Sequence, residues 1–343
     1  MDIVSQSALS LWAPFRISPW FAERVWGCRD LRPWYDRVAE SGEPIGEAWL
    51  TGDECVVATG AHAGQTLGAL FAENAEALLG PAAPRSTEAA ARSASPLLIK
   101  VIFAKEKLSV QVHPDDAMAQ KYGDPRGKSE CWYVLEAEPG SQVACGLKPG
   151  VSLDDVKAEI EAGTLESSLN LLNVTPEEMI FVDAGTVHAI WPGAILLETQ
   201  QNCDLTYRMY DYGRGRELHI QKSLEATKLV TRAGKIAPRV LNDRKILIEG
   251  EYFCVERLGV VGSRTSASLP GPSLAAEGEP APGLQYLFAA GGAARIAGEC
   301  FEPLDLPMGG MVAIPAVSPE FVVEDLGGLN LIRITPRWPS AYI

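Results

Sequence analysis

Most of this sequence is written in short runs rich in β-branched and aromatic residues, each cut off by glycine or proline. Such punctuation leaves few stretches long enough for a helix. It favours many short strands that bury their apolar side chains in a sandwich or barrel. With 32 glycines and 24 prolines in 343 residues, breaks recur along nearly the whole chain. Three segments read otherwise. Residues 63–80, AGQTLGALFAENAEALLG, carry an apolar face at helical spacing. Residues 151–173 read as one or two helices, with Ser152 as cap and Asp154 and Asp155 in the first turn. Residues 216–230 read as another helix. Residues 81–96 look like a surface connection, and 262–283, rich in Ser, Pro and Gly, like a long loop.

A weak internal repeat adds to this. ECWYVLEAEPGSQVACG (130–146) aligns with GLQYLFAAGGAARIAG (283–298), setting Tyr133 over Tyr286. DAGTVHAI (183–190) aligns with PAVSPEFV (315–322). In that register Gly283 stands where Glu130 is, and Glu320 where His188 is. The second copy keeps the strand pattern and loses the polar side chains. We therefore expect two β-barrel units: residues 1–239 bearing the site and the helical insertions, and residues 240–343 a degenerate copy without it.

Composition narrows the function. The formal charge of −14 argues against a nucleic-acid partner. No run is long and apolar enough to cross a membrane, and the N-terminus does not read as a signal peptide. The seven cysteines are scattered, odd in number and free of C-x-x-C, as expected of reduced thiols in a cytoplasmic protein. An anionic small substrate would need a local basic pocket within this acidic field.

One strand is polar where an interior strand would be apolar. In LSVQVHPDD (108–116), Ser109, Gln111 and His113 alternate with Val110 and Val112 and so share one face. Glu130 opens the next strand after the turn-like YGDPRGK, and a hairpin would return it beside His113. His188 follows Gly185 in a tight turn. A lone strand histidine is ordinarily a packed or surface residue. Here two imidazoles, one carboxylate and one amide oxygen together make a four-ligand set for zinc, with room for substrate. His62 in a turn and His219 at a helix start lack such company and read as structural or surface residues. Lys128 shares the Glu130 face, and Ser109 shares that of Gln111.

At this point the chain resembles the type I mannose-6-phosphate isomerases of the short bacterial form, in the cupin superfamily. The matching stretches are ERVWG (23–27), IGEAWLTG (45–52), LLIKVIFAKEKLSVQVHPDD (97–116), GKSECWYVLEA (127–137), DAGTVHAI (183–190) and LLETQQNCDLTYRMYDYGR (196–214). The resemblance implies a mainly β fold of two cupin-like barrels, jelly-roll or double-stranded β-helix, with a few inserted helices. It implies one zinc ion per chain on Gln111, His113, Glu130 and His188. It places Lys100, Glu198 and Arg208 in the pocket, with Lys100, Ser109, Lys128 and Arg208 available to a phosphosugar. The implied reaction interconverts mannose 6-phosphate and fructose 6-phosphate through an enediol or enediolate. Glu198, Asp204 and Lys128 all qualify chemically as the base. Three other readings remain open: the same fold acting on another phosphosugar, a sugar-phosphate-binding cupin without turnover, and a non-haem iron dioxygenase using His113, Glu130 and His188.

Overall fold

The computed structural model describes residues 11–40, 42–80, 94–241, 244–259, 267–268 and 283–338. Most of the expected connection at 81–96 and of the loop at 262–283 lies outside these residues. The strand-rich chain folds into two compact units. One gathers residues 21–48 and 98–237, the other residues 1–20, 49–97 and 238–343. The second unit thus draws on two N-terminal stretches that lie before the sequence-based division at 239/240.

The first unit is built from two sheets. Seven strands run in the order Gly234–Ile236, Met179–Val182, Glu130–Ala137, Ala194–Gln201, Leu97–Ala104, Ile45–Trp49 and Trp20–Cys28. Five run Tyr207–Tyr210, Val110–Val112, His188–Ile190, Gln142–Leu147 and Leu169–Asn173. Trp26, Ile102, Leu108, Trp132, Val143, Ile180 and Leu196 come from both sheets and form one buried cluster. Val110, Val112, Ala144, Val187 and Ala189 pack instead with Val156, Ile160 and Ala226 of the helices. Both faces of the five-stranded sheet are therefore covered. With Val110 and Val112 turned to the helices, the pleat turns Gln111 to the other face.

The helical expectations hold in part. Leu67–Leu79 is a helix, capped by Thr66 and closed at Gly80. Within 151–173 only Leu153–Ala162 is α-helical. Gly163 adopts the left-handed conformation (φ 71°, ψ 24°) and stops it, a 3-10 turn follows at Leu165–Ser168, and Leu169–Asn173 is an edge strand paired with Gln142–Leu147. In 216–230 the helix is confined to Ile220–Ala226. A short helix not anticipated from the sequence, Asp116–Lys121, is capped by Asp115.

The second unit is a sheet with the path Arg239–Val240, Arg244–Glu249, Phe253–Leu258, Val322–Pro336, Gln285–Gly298, Met311–Ile314, Phe15–Ser18 and Val56–Val57. Its pairings echo those of the first. Glu130–Ala137 pairs with Met179–Val182, and Gln285–Gly298 pairs with Met311–Ile314. The register differs by two residues. Glu130 lies opposite Val182, whereas Gln285, not Gly283, lies opposite Ile314. A shift of two keeps each side chain on its face. Glu320, at the position aligned with His188, lies outside any strand.

Candidate metal centre and active site

Gln111 stands opposite Arg208 on one neighbouring strand and opposite His188 on the other. Directly opposed residues put their side chains on the same face, so the pleat aligns Arg208, Gln111 and His188 in one row. His113 follows on that face, where Pro114 ends the strand. From the seven-stranded sheet, Glu130 meets them. His113 Nε2 lies 3.5 Å from Glu130 Oε2, and His188 Nε2 lies 3.5 Å from Glu130 Oε1. All three residues are 1% exposed.

Hydrogen bonds fix the histidine tautomers. His113 Nδ1 lies 2.8 Å from the Leu205 carbonyl, and His188 Nδ1 lies 2.9 Å from that of Thr186. A carbonyl only accepts, so Nδ1 donates in both rings and Nε2 is left bare. Burial holds the His113 pKa well below the ordinary imidazole value, and Lys128 adds to the effect. Burial likewise lowers His188 to about 4, against the Thr186 bond, which would raise it. Both rings are neutral at pH 7, the form in which imidazole binds a metal.

His113 Nε2 and Glu130 Oε1 are buried without a hydrogen bond, while Glu130 Oε2 has the Lys128 ammonium at 3.2 Å as an ion-pair partner. Uncompensated polar burial costs about 1–3 kcal/mol per group, more for a charge. A cation would satisfy His113 Nε2 and Glu130 Oε1 together, and the potential ligand atoms of His113, Glu130 and His188 lie within 4.8 Å of one another. The residues therefore fit a divalent metal. The Gln111 amide nitrogen lies 3.2 Å from His188 Nε2. A half-turn of this amide would present its oxygen there instead, as a cation requires.

A cavity of about 580 Å³ opens beside these groups. Lys100, Ser109, Gln111, Lys128, Glu130, His188, Glu198, Asp204 and Arg208 all line it. His113 joins them through Glu130. Five cations (Arg24, Lys100, Lys128, Arg208, Arg216) and five carboxylates (Glu23, Glu47, Glu130, Glu198, Asp204) line it together, so the wall is formally neutral. Lys100, Lys128 and Arg208 all face the cavity, balanced there by carboxylates; a bound divalent ion would make the site net positive.

Most of these cations are already paired. Lys128 lies 3.2 Å from Glu130, Lys100 3.3 Å from Asp204 and 3.6 Å from Glu198, and Arg24 2.8 Å from Glu47. Arg216 pairs with Asp211. Arg208 differs from the other four in having no carboxylate within 4 Å among the described residues. Its Nη1 donates to the Glu217 carbonyl at 2.9 Å, and its buried Nε has no partner. His219 holds the Arg208 backbone at both ends: its Nδ1 accepts the Arg208 N–H at 3.2 Å, and its own N–H donates to the Arg208 carbonyl at 2.8 Å. His219 is thus structural in a particular sense, fixing the strand that carries Arg208. His62 stacks on Trp12, with ring centroids 4.7 Å apart.

Burial works against the charge of Lys128, but Glu130, Glu198 and Asp204 outweigh it and its pKa is raised. Glu198 is pushed up by burial and by Glu130, while Trp132 Nε1 donates to its Oε1 at 3.2 Å. Asp204 is held below the ordinary carboxylate value: burial raises it, and Lys100 and Lys128 overcome that. Arg24, Glu47, Arg216 and Trp132 were not singled out from the sequence. The alternation in ERVW, which puts Arg24 on the same face as Trp26, was the available signal for Arg24.

Residues 15–143 match the family model described as phosphomannose isomerase type I, catalytic domain. A mannose-6-phosphate isomerase of Streptococcus mutans is 33% identical over 255 residues, 70% of this chain and 77% of the relative. The crystal structure of mannose 6-phosphate isomerase from Bacillus subtilis superposes with a TM-score of 0.78 at 28% identity, covering 94% of this chain and 99% of that one. A structure of mannose 6-phosphate isomerase bound with zinc and yttrium gives 0.69 at 17% identity over 95% of this chain and 100% of that one.

Proposed function

The chain belongs to the type I phosphomannose isomerases, and on that premise we propose that it is a zinc-dependent enzyme interconverting mannose 6-phosphate and fructose 6-phosphate. The observation that carries this is the buried convergence of His113 Nε2, His188 Nε2 and Glu130, in which His113 Nε2 and Glu130 Oε1 have no hydrogen bond, beside a cavity lined by Arg208, which has no carboxylate partner among the described residues. Gln111, His113, Glu130 and His188 would hold the ion. When bound, it supplies Lewis-acid polarisation of the sugar carbonyl and a net positive charge in the cavity.

The remaining work falls to side chains. Aldose–ketose exchange moves one proton between C2 and C1 through an enediol or enediolate. Glu198 is the carboxylate best matched to carry it. Its pKa is raised toward the working range by burial and Glu130, whereas that of Asp204 is lowered by Lys100 and Lys128. Glu198 Oε2 would take the proton from C2 and return it to C1. Lys128, with its raised pKa, serves as a fixed cation rather than a base. Arg208 offers a charged fork to the phosphate or to a developing oxyanion. Ser109 and Lys100 complete the polar wall.

A coupled isomerase assay tests this. The protein as isolated should convert mannose 6-phosphate, lose activity on prolonged chelation and regain it with zinc. Arg208→Ala should keep its zinc and lose roughly ten- to a hundred-and-fifty-fold in kcat/KM, the worth of one hydrogen bond to a charged group. Full activity in metal-free protein would refute the metal assignment. No turnover of mannose 6-phosphate by zinc-loaded protein would refute the substrate.

A further inference from the structure

Behind the metal-facing side chains, their segments meet in a second set of hydrogen bonds for which the proposed chemistry has no use. Pro114, Asp115 and Asp116 follow His113; Gly127, Lys128 and Ser129 precede Glu130; Ala184 and Gly185 lie just before His188. Asp116 Oδ1 accepts the backbone N–H of Gly127 at 2.7 Å and Gln201 Nε2 at 2.9 Å. Gln201 Oε1 accepts the Ser129 N–H at 2.8 Å, and Ser129 Oγ accepts the Ala184 N–H at 3.2 Å. Backbone bonds close the same seam: Lys128 N–H to the Pro114 carbonyl at 3.0 Å, and Gly185 N–H to the His113 carbonyl at 2.8 Å.

The Gln201 amide works at both ends, as an acceptor for a backbone N–H and a donor to a carboxylate. Gln201 is 5% exposed and Ser129 7%, so a partner lost here would not be replaced by bulk water. The seam is also tight. A Cβ on Gly127 would lie 2.6 Å from the Pro114 carbonyl oxygen and 2.6 Å from the Asp116 nitrogen. A centre whose ligands come from three separate segments binds its ion well only if those segments are already in place; otherwise part of the binding free energy is consumed in ordering them.

We infer that Asp116 and Gln201 are positioning residues for the metal centre. Together they tie the HPDD turn to the GKSE strand start, and through Ser129 to the loop before His188. They set zinc affinity without touching the ion or the sugar. The inference rests on the metal-dependent reading above.

The test is the zinc dissociation constant, measured by competition with a chromogenic chelator, alongside the melting temperature of each metal-free protein. Asp116→Ala and Gln201→Leu should each weaken zinc binding by about 10–100-fold, the usual effect of removing a group that orients metal ligands. Asp116→Asn, which keeps an acceptor oxygen, should stay within about threefold of wild type. If Asp116→Ala does not fold, Gln201→Leu and Asp116→Asn carry the test. Zinc binding within about twofold of wild type in Gln201→Leu would overturn the inference, even with a lowered melting temperature. So would an Asn variant as impaired as a folded Ala variant. Failure of the metal reading looks different: wild-type protein would take up no zinc, and this inference would fall with it.

Discussion

A buried histidine with Nδ1 given to a carbonyl has one bare nitrogen and little tendency to protonate it. For His188 the consequence is measurable. A proton competes with a metal for Nε2 only below the ring's own pKa, which burial has lowered to about 4. His113 is lowered in the same direction. Two ordinary imidazoles near pH 6.5 would lose roughly tenfold in metal affinity between pH 7.5 and 6.0, because both must give up protons. Here the rings are already neutral across that window. Zinc affinity should therefore change by less than about twofold, as read by chelator competition at the two pH values. A tenfold loss would mean the rings titrate normally. Sequence alternation was enough to put Gln111 and His113 on one face. The tautomers and the isolation of Arg208 from carboxylates were not legible, because they depend on carbonyls and acids brought together from distant segments.

At the scale of elements, alternation and capping residues were legible, and their extents were not. Ser152 caps Leu153–Ala162 as expected, but LNLLN, read as part of a helix, is a strand. Its leucines fit either period over five residues. The decision lies in Gly163, which stops the helix, and in the exposed edge of Gln142–Leu147, which takes LNLLN as a partner. The cap gives a separable prediction. Ser152 Oγ accepts the Asp155 N–H at 3.1 Å, while Asp155 accepts the Ser152 N–H at 2.9 Å. Val156 and Ile160 of this helix pack with Val110 and Val112, on the face of the strand opposite Gln111. Ser152→Ala should cost about 1 kcal/mol in urea unfolding while leaving kcat and zinc content unchanged. A fall in kcat without a fall in stability would contradict this division between the two faces.

At the scale of the molecule, the similar apolar patterns of 130–146 and 283–298 were legible, and each stretch holds a strand that pairs antiparallel with a later one. The packing partner of the N-terminus was not visible, because it lies some three hundred residues away in sequence. Phe15, Arg16 and Ile17 pair with Ala313, Val312 and Met311, and Ser18 with Val56. The end of helix Leu67–Leu79 is held by Ala316 N–H on the Leu78 carbonyl at 2.9 Å. A chain cut after residue 239 would keep Val56 but lose Met311, Val312, Ala313 and Ala316. Phe15 and Ile17, each at most 4% exposed in the intact protein, would lose the strand they pair with and face water. Newly exposed apolar side chains and an unpaired strand edge drive association. We expect the 1–239 chain to elute as aggregate in size-exclusion chromatography with light scattering, although it contains every proposed metal ligand. Glu320→Gln in the full chain is the control. Glu320 lies outside any strand, and its unit has Gln285 where the first has Glu130, so zinc content and turnover should match wild type. A monodisperse, zinc-binding 1–239 chain would show that the C-terminal segment is dispensable for folding, and a Glu320→Gln protein depleted of zinc would place a ligand in the second unit.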